Sequence, residues 1–295
     1  MNEPLRMLTV HAHPDDESSK GASTVARYAQ EGIPATLVCC TGGEAGSVLN
    51  PAMDTPEVNA DLAAVRREEL AAATRIIGYD RVELLGYHDS GMPDSEDNAR
   101  PDNFWNADMD EAIGKLVAVI RRDRPQVIVT YGDDQRHYAH PDHLRVHDIT
   151  LPAFERAADP EWYPDLGDVW QPLKLYYTVW SRRRMVALHE TFLRMGLESP
   201  FGEDWQKRFS ETDQDDRITT QVPIRDHYEV REKALRAHAT QVDPTSPFWF
   251  GLPTEVARDV HPWDDYILAR SLVETDLPED DLFAGVPGRS GSLSP

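Results

Sequence analysis

Five short apolar runs, separated by stretches with helical spacing, most constrain what this chain can become. Met7 to Val10, Ala35 to Thr41, Val82 to Leu85, Gln126 to Tyr131 and Leu173 to Trp180 are too short for buried helices, and read as buried strands. Between them, Ser18 to Glu31, Asp61 to Ile77, Ala107 to Arg122 and Asp142 to Ala158 carry apolar residues at helical spacing, with Gly32 and Gly78 closing the first two. This alternation predicts an α/β fold: a Rossmann-like, doubly wound, mostly parallel sheet with helices on both faces, followed by a smaller α+β C-terminal addition. In the strand order 3-2-1-4-5, strands one and four adjoin at the switch point, so the loops that leave them face each other.

Residues 1–170 are expected to form the core and residues 171–274 to complete the fold and the substrate pocket. In that second part, Ser181 to Met195 and Arg225 to Thr240 read as helices and Val222 to Ile224 as a short strand. The acidic stretch Ser199 to Asp216 reads as irregular. Residues 275–295, acidic and rich in Pro, Gly and Ser, read as a weakly ordered tail. Met92 to Asn106 is a polar, proline-containing loop that could serve as a lid over the strand ends.

The 295 residues carry a formal net charge of -22, which disfavours nucleic acid and anionic membranes as partners. No apolar run approaches the roughly 20 residues that span a bilayer, and no signal-type start is seen, so a cytoplasmic protein is expected. The two cysteines, Cys39 and Cys40, point to opposite faces of strand two and read as packing residues. Oligomeric state is not encoded in these features, and a homo-oligomer stays open.

The loops after strands one and four are the chemically dense parts of the chain. His11-Ala12-His13-Pro14-Asp15-Asp16-Glu17 gathers two imidazoles and three carboxylates, a crowd that a divalent cation would relieve. Tyr131 to His143 holds the matching set, including Tyr138, His140, Asp142 and His143. A hydrolytic metal site takes three His and carboxylate ligands and needs a separate base and oxyanion donor. His13 and Asp16 can ligate from the first loop while Asp15 stays free, and His143 from the second while His140 stays free. His11 is expected to pack beside the site. His143 and His147 share a helical face, but Leu144 stands where the zincin motif needs Glu, so His147 is read as a supporting or surface residue. His88, His189, His227 and His261 are read as structural, and Trp249 and Trp263 as packing residues with a stacking role as the alternative. Gly42 to Gly46 lacks both the P-loop lysine and the dinucleotide spacing, and reads as a turn beside the substrate.

Ala12 to Glu17 together with His140-Pro141-Asp142-His143 resembles the LmbE-like (PIG-L) zinc-dependent N-deacetylases. The resemblance covers the chain to about Leu151, and more loosely to Arg236 to Gln241. It implies His13, Asp16 and His143 as ligands of Zn2+, with Fe2+ also accepted by such a set, and Asp15 as general base. It further implies that His140 stabilises the oxyanion or protonates the leaving amine, that Tyr138 polarises the carbonyl, and that Asp142 orients His140. Lys20, Arg66, Glu44 and His238 are the implied substrate contacts. Within the family, Ser18 to Gly21 and Asn50 to Asp54 look most like amidases of mycothiol S-conjugates, which implies a small thiol-sugar conjugate as the partner. The alternatives are an amino-sugar N-deacetylase such as that acting on N-acetylglucosaminyl-inositol, and a non-catalytic sugar-binding protein. A metallophosphoesterase is disfavoured because a second full ligand set is missing.

Overall fold

The structure, a computed structural model, describes residues 3–289. Seven strands form one sheet in the order β3-β2-β1-β4-β5-β7-β6. β1 (Met7–His11), β2 (Ala35–Thr41), β3 (Arg81–Tyr87), β4 (Val127–Tyr131) and β5 (Lys174–Val179) are parallel. The predicted 3-2-1-4-5 order is the one found. β6 (Thr220–Pro223) and β7 (Trp263–Ser271) add on antiparallel, with β7 between β5 and β6. Every residue of β1, β2 and β4 is buried, as expected for strands covered on both faces.

Two cores follow from strand alternation. Met7, Val127, Val129 and Tyr176 face one side, against α2 (Ala22–Gln30), α4 (Leu62–Ile77) and α9 (Tyr228–Ala237). Leu8, Ile128, Leu175 and Tyr177 face the other, against α5 (Met109–Asp123) and α6 (Pro141–Arg156). The remaining helices are α1 (Asp16–Ser19), α3 (Pro56–Ala60), α7 (Arg182–Arg194), α8 (Glu203–Glu211), α10 (Pro247–Phe250) and α11 (Thr254–Val260). The helix expected from Ser18 is broken in two, because Gly21 takes a φ of 97° and the chain restarts at Ala22.

Three expectations are corrected. Ser199 to Asp216 is not irregular throughout: α8 forms there, burying Phe209 on one face and turning its charges to solvent. β7 replaces a stretch with no strand assignment. Its Asp264 and Asp265 mask the apolar pattern, yet both are buried and bonded, Asp264 Oδ2 accepting from Thr24 at 2.8 Å and Asp265 Oδ2 from His261 at 2.8 Å. Residues 275–289 are packed rather than weakly ordered: Leu282, Phe283 and Val286 enter the core. They are anchored by the buried Lys174–Glu279 ion pair and by Tyr28 Oη donating to Asp281 Oδ1 at 2.8 Å. Residues 290–295 of that segment lie outside the described part.

Candidate active site

β1 delivers the chain to a turn at which Asp15 takes φ 111° and ψ -25°. A non-glycine residue there costs on the order of 1–3 kcal/mol and persists only when its surroundings enforce it. Glu17 supplies part of that enforcement, its Oε2 accepting the Asp15 N–H at 2.9 Å. Arg66, buried on α4, supplies the rest. Its Nη2 donates to the Pro14 carbonyl at 2.6 Å and lies 3.2 Å from Asp15 Oδ2, and its Nη1 donates to the Gly43 carbonyl at 2.7 Å. Gly43 has φ +70°, and a Cβ there would collide with the guanidinium, so glycine is required. The Asp15 side chain stays 28% exposed. Burial and the neighbouring Asp16 outweigh Arg66 and raise its carboxyl to about 6.

The second loop is fixed by the start of α6. Pro141 occupies its first turn, where no N–H is needed, and His140 is the N-cap, its Nδ1 accepting the Asp142 N–H at 3.1 Å. That bond makes Nδ1 the acceptor and leaves the proton of the neutral ring on Nε2. Burial and the adjacent His13 push His140 down to about 4, so the ring is neutral at pH 7.

Adjacent strands β1 and β4 bring the two loops together. Asp16 Oδ2 lies 3.4 Å from His13 Nδ1 and 3.3 Å from His143 Nε2, and Lys20 pairs with the other Asp16 oxygen. All three of His13, Asp16 and His143 are buried, and one ligand atom from each falls within 4.8 Å of the others. Burial pushes His143 down to about 3, which keeps its lone pair available. On its far side His13 Nε2 meets Asp142 Oδ2 at 3.1 Å and Asp89 Oδ1 at 3.4 Å. Burial alone would lower His13, but these carboxylates and Asp16 hold its proton well above the ordinary value. Three carboxylates converging on one imidazole, with two imidazole nitrogens and a carboxylate facing inward, fit a divalent metal, and a carboxylate behind a ligating histidine is the usual support.

The site opens into a cavity of about 530 Å³ onto which His13, Asp15, Asp16, Lys20, His140 and His143 all face. Tyr138 stands at its rim, 45% exposed, with its ring 5.4 Å from that of His143 and its hydroxyl 3.4 Å from Met92 Sδ.

Comparison with known proteins gives this geometry a context. The model of the family described as PIG-L, GlcNAc-PI de-N-acetylase, matches residues 8–154. A mycothiol S-conjugate amidase of Streptomyces coelicolor is 50% identical over 293 residues, which cover 97% of this chain and 99% of that protein. The chain belongs to the PIG-L family. It is accordingly an amide hydrolase. A 1D-myo-inositol 2-acetamido-2-deoxy-alpha-D-glucopyranoside deacetylase of Streptomyces avermitilis is 43% identical, over 95% of this chain and 97% of that protein. Among solved structures, the N,N'-diacetylchitobiose deacetylase of Pyrococcus horikoshii shares the fold with a TM-score of 0.62 at 16% identity, covering 90% of this chain and 84% of that one.

The PIG-L fold gathers most of the residues singled out from sequence, and three of them do other work. Asp142 does not orient His140 with its carboxylate, which instead faces His13 and accepts from Ser90; only its backbone N–H reaches His140. His238 does not reach the cavity. It is fully buried and paired with Glu17. Glu44 does not line the cavity either, since its Oε2 accepts the Asp89 N–H at 3.0 Å and so braces the loop after β3. Arg66 lines the cavity, but its three hydrogen bonds are to the protein loops described above. Among the described residues His11 is buried without a hydrogen-bond partner, edge-on to Tyr131, and is no part of the inward-facing set.

Glu17 and Tyr131 stand in the two dense motifs without a role read from sequence, and Asp89 stands outside both. Tyr131 stacks on His143 at 4.5 Å and donates no clue by spacing, because it is the last residue of a strand. Asp89 was within reach of the topology: the loop after β3 leaves the same C-terminal end of the parallel strands as the two clusters.

Proposed function

We propose that the enzyme is a zinc-dependent amidase that cleaves the amide between the glucosamine nitrogen and the N-acetylcysteinyl group of mycothiol S-conjugates, giving a mercapturate and glucosaminyl-inositol. The observation that carries the chemistry is the convergence of His13, Asp16 and His143 on one point beside a partly exposed Asp15 and a neutral His140. The 50% identity to a mycothiol S-conjugate amidase over nearly the whole of both chains supports the substrate.

His13, Asp16 and His143 would hold the metal; Fe2+ suits the same donors. Such an ion supplies Lewis-acid chemistry, making water nucleophilic near neutral pH and polarising the carbonyl. Asp15 takes the proton of the attacking water, its carboxylate aimed by Arg66 and its backbone pinned by Glu17. His140 presents Nε2–H to the oxygen that becomes negative, and a neutral donor there stabilises the oxyanion without surrendering its proton in the resting enzyme. Tyr138, at the rim, adds a second donor once it turns inward from Met92. Lys20 and Arg66, which line the cavity, would meet polar groups of the sugar half.

The 43% identical deacetylase favours a second reading, removal of acetate from the N-acetylglucosaminyl-inositol precursor. Rates of zinc-loaded enzyme on a bimane conjugate of mycothiol and on the acetylated precursor, side by side, decide between them. Faster cleavage of the conjugate is expected; a preference for the precursor would reverse the assignment.

A further inference from the structure

One part of the cavity lining is the metal-type set, and another is a group of aromatic rings. Trp180 follows β5, Trp205 and Phe209 lie four apart on one face of α8, and Phe248 and Trp249 come from α10. The rings run continuously. Phe209 stacks on Trp205 at 5.5 Å and 16°, Trp205 meets Phe248 at 5.3 Å, and Phe248 stacks on Trp180 at 5.9 Å and 13° with Trp249 edge-on at 4.6 Å. Trp180, Trp205, Phe248 and Trp249 each keep part of their surface open.

Hydrolysis of an amide does not need such a wall, and hydroxyl-rich rings would find few partners on it. Two side-chain amides of the cavity lining are engaged through their nitrogens, Gln214 Nε2 donating to the Asp134 carbonyl at 2.9 Å and Gln241 Nε2 to the Ser47 carbonyl at 3.2 Å, and the Arg208 guanidinium, also of the lining, lies over Trp205 at 5.3 Å. Adjacent ring faces with little hydrogen-bonding capacity suit a flat, apolar group, held by burial and by offset stacking. We propose that this wall receives the sulfur-linked substituent of the substrate and selects for planar, aromatic adducts. The inference rests on the amidase reading above, in which the scissile amide sits at the metal-type set and the thioether extends away from it.

Trp205 is the position to test, because it lies on α8, outside the sheet, and is partly buried where it packs against the first core. For zinc-loaded enzyme, kcat/KM is measured on two conjugates of the same thiol-sugar, one carrying bimane and one carrying methyl. In W205A the bimane-to-methyl ratio should fall about tenfold or more, the scale of an aromatic contact plus its buried area, and W205F should keep most of it. Chelator-treated protein should show the same loss in its affinity for the bimane mercapturate, read from bimane fluorescence. A W205A ratio within about twofold of wild type would overturn the proposal, well below the effect of a lost stacking partner. Trp249→Leu provides the same readout should W205A fail to fold by circular dichroism. Wild-type enzyme that cleaves neither conjugate would instead sink the amidase reading, and this inference with it.

Discussion

Glu17 Oε1 and His238 Nε2 lie 2.7 Å apart across a sequence separation of 221 residues, and neither side chain has any exposed surface. Burial opposes both charges, yet their attraction and hydrogen bond hold Glu17 below and His238 above the ordinary value. Removing one partner strands the other, so Glu17→Ala or His238→Ala should cost about 3–5 kcal/mol, measured by urea unfolding at pH 7. Glu17 also holds the Asp15 N–H, so the glutamate variant should lose activity beyond its loss of folded protein. Unfolding midpoints equal to wild type would refute the pairing.

Asp15→Ala should lower kcat by about a hundredfold or more with metal content unchanged, as expected for a removed general base. His140→Ala should cost about a hundred- to a thousandfold, as for a lost oxyanion donor. Activity within tenfold of wild type in either variant removes that residue from the chemistry.

Asp142 supports His13 rather than His140, which predicts a binding phenotype. Asp142→Asn should weaken zinc binding by about ten- to a hundredfold, read by competition with a chromophoric chelator. A variant of unchanged zinc affinity but impaired turnover would return Asp142 to the service of His140.

Away from the site, Asp265 is a buried carboxylate accepting from His261 at 2.8 Å, Ser181 at 2.5 Å and Gln221 at 2.8 Å. Burial alone would raise its pKa; these bonds prevail and lower it. A carboxyl lowered by folding adds stability above the unfolded value of about 4 and loses it as pH falls toward the folded value. Between pH 5 and pH 3, Asp265→Asn should therefore lose less stability than wild type in urea titrations. Parallel losses would show that folding leaves the pKa of this carboxyl unchanged.

Deleting residues 275–295 removes Leu282, Phe283 and Val286 from the core and leaves Lys174 buried without Glu279. Each such apolar side chain contributes about 1.5–3 kcal/mol, so the truncated chain should lose most of the stability of a typical domain. Circular dichroism melts and limited proteolysis would reveal it. A truncated chain that melts like wild type would mean that this packing contributes little.

The core strands and the metal-type set were legible because each is written locally. A strand buried on both faces must be largely apolar, as β2 and β4 are, and His13, Asp16 and His143 fall in two dense motifs. What escaped depends on partners far along the chain. Asp264 and Asp265 look like surface charges until Thr24, Arg184 and His261 close on them, which hid β7. Phe283 sits among acidic and small residues whose local composition says nothing of Tyr28, on which it packs at 5.1 Å. His238 and Glu44 carry functional chemistry in their side chains, but neighbours contributed by other loops consume it.

The bond from Tyr28 to Asp281 closes the first long helix with residues 253 positions later. At about 5–20 residues per second, a ribosome takes on the order of 10–50 s to traverse that interval. Throughout it Tyr28 lacks its native partners Asp281 and Phe283, and contacts of such long range form slowly even in the finished chain. Biogenesis of this enzyme therefore passes through a long-lived state whose first core is still open where Leu282, Phe283 and Val286 will enter, and its yield in the cell should depend more on chaperone supply than its final stability would suggest.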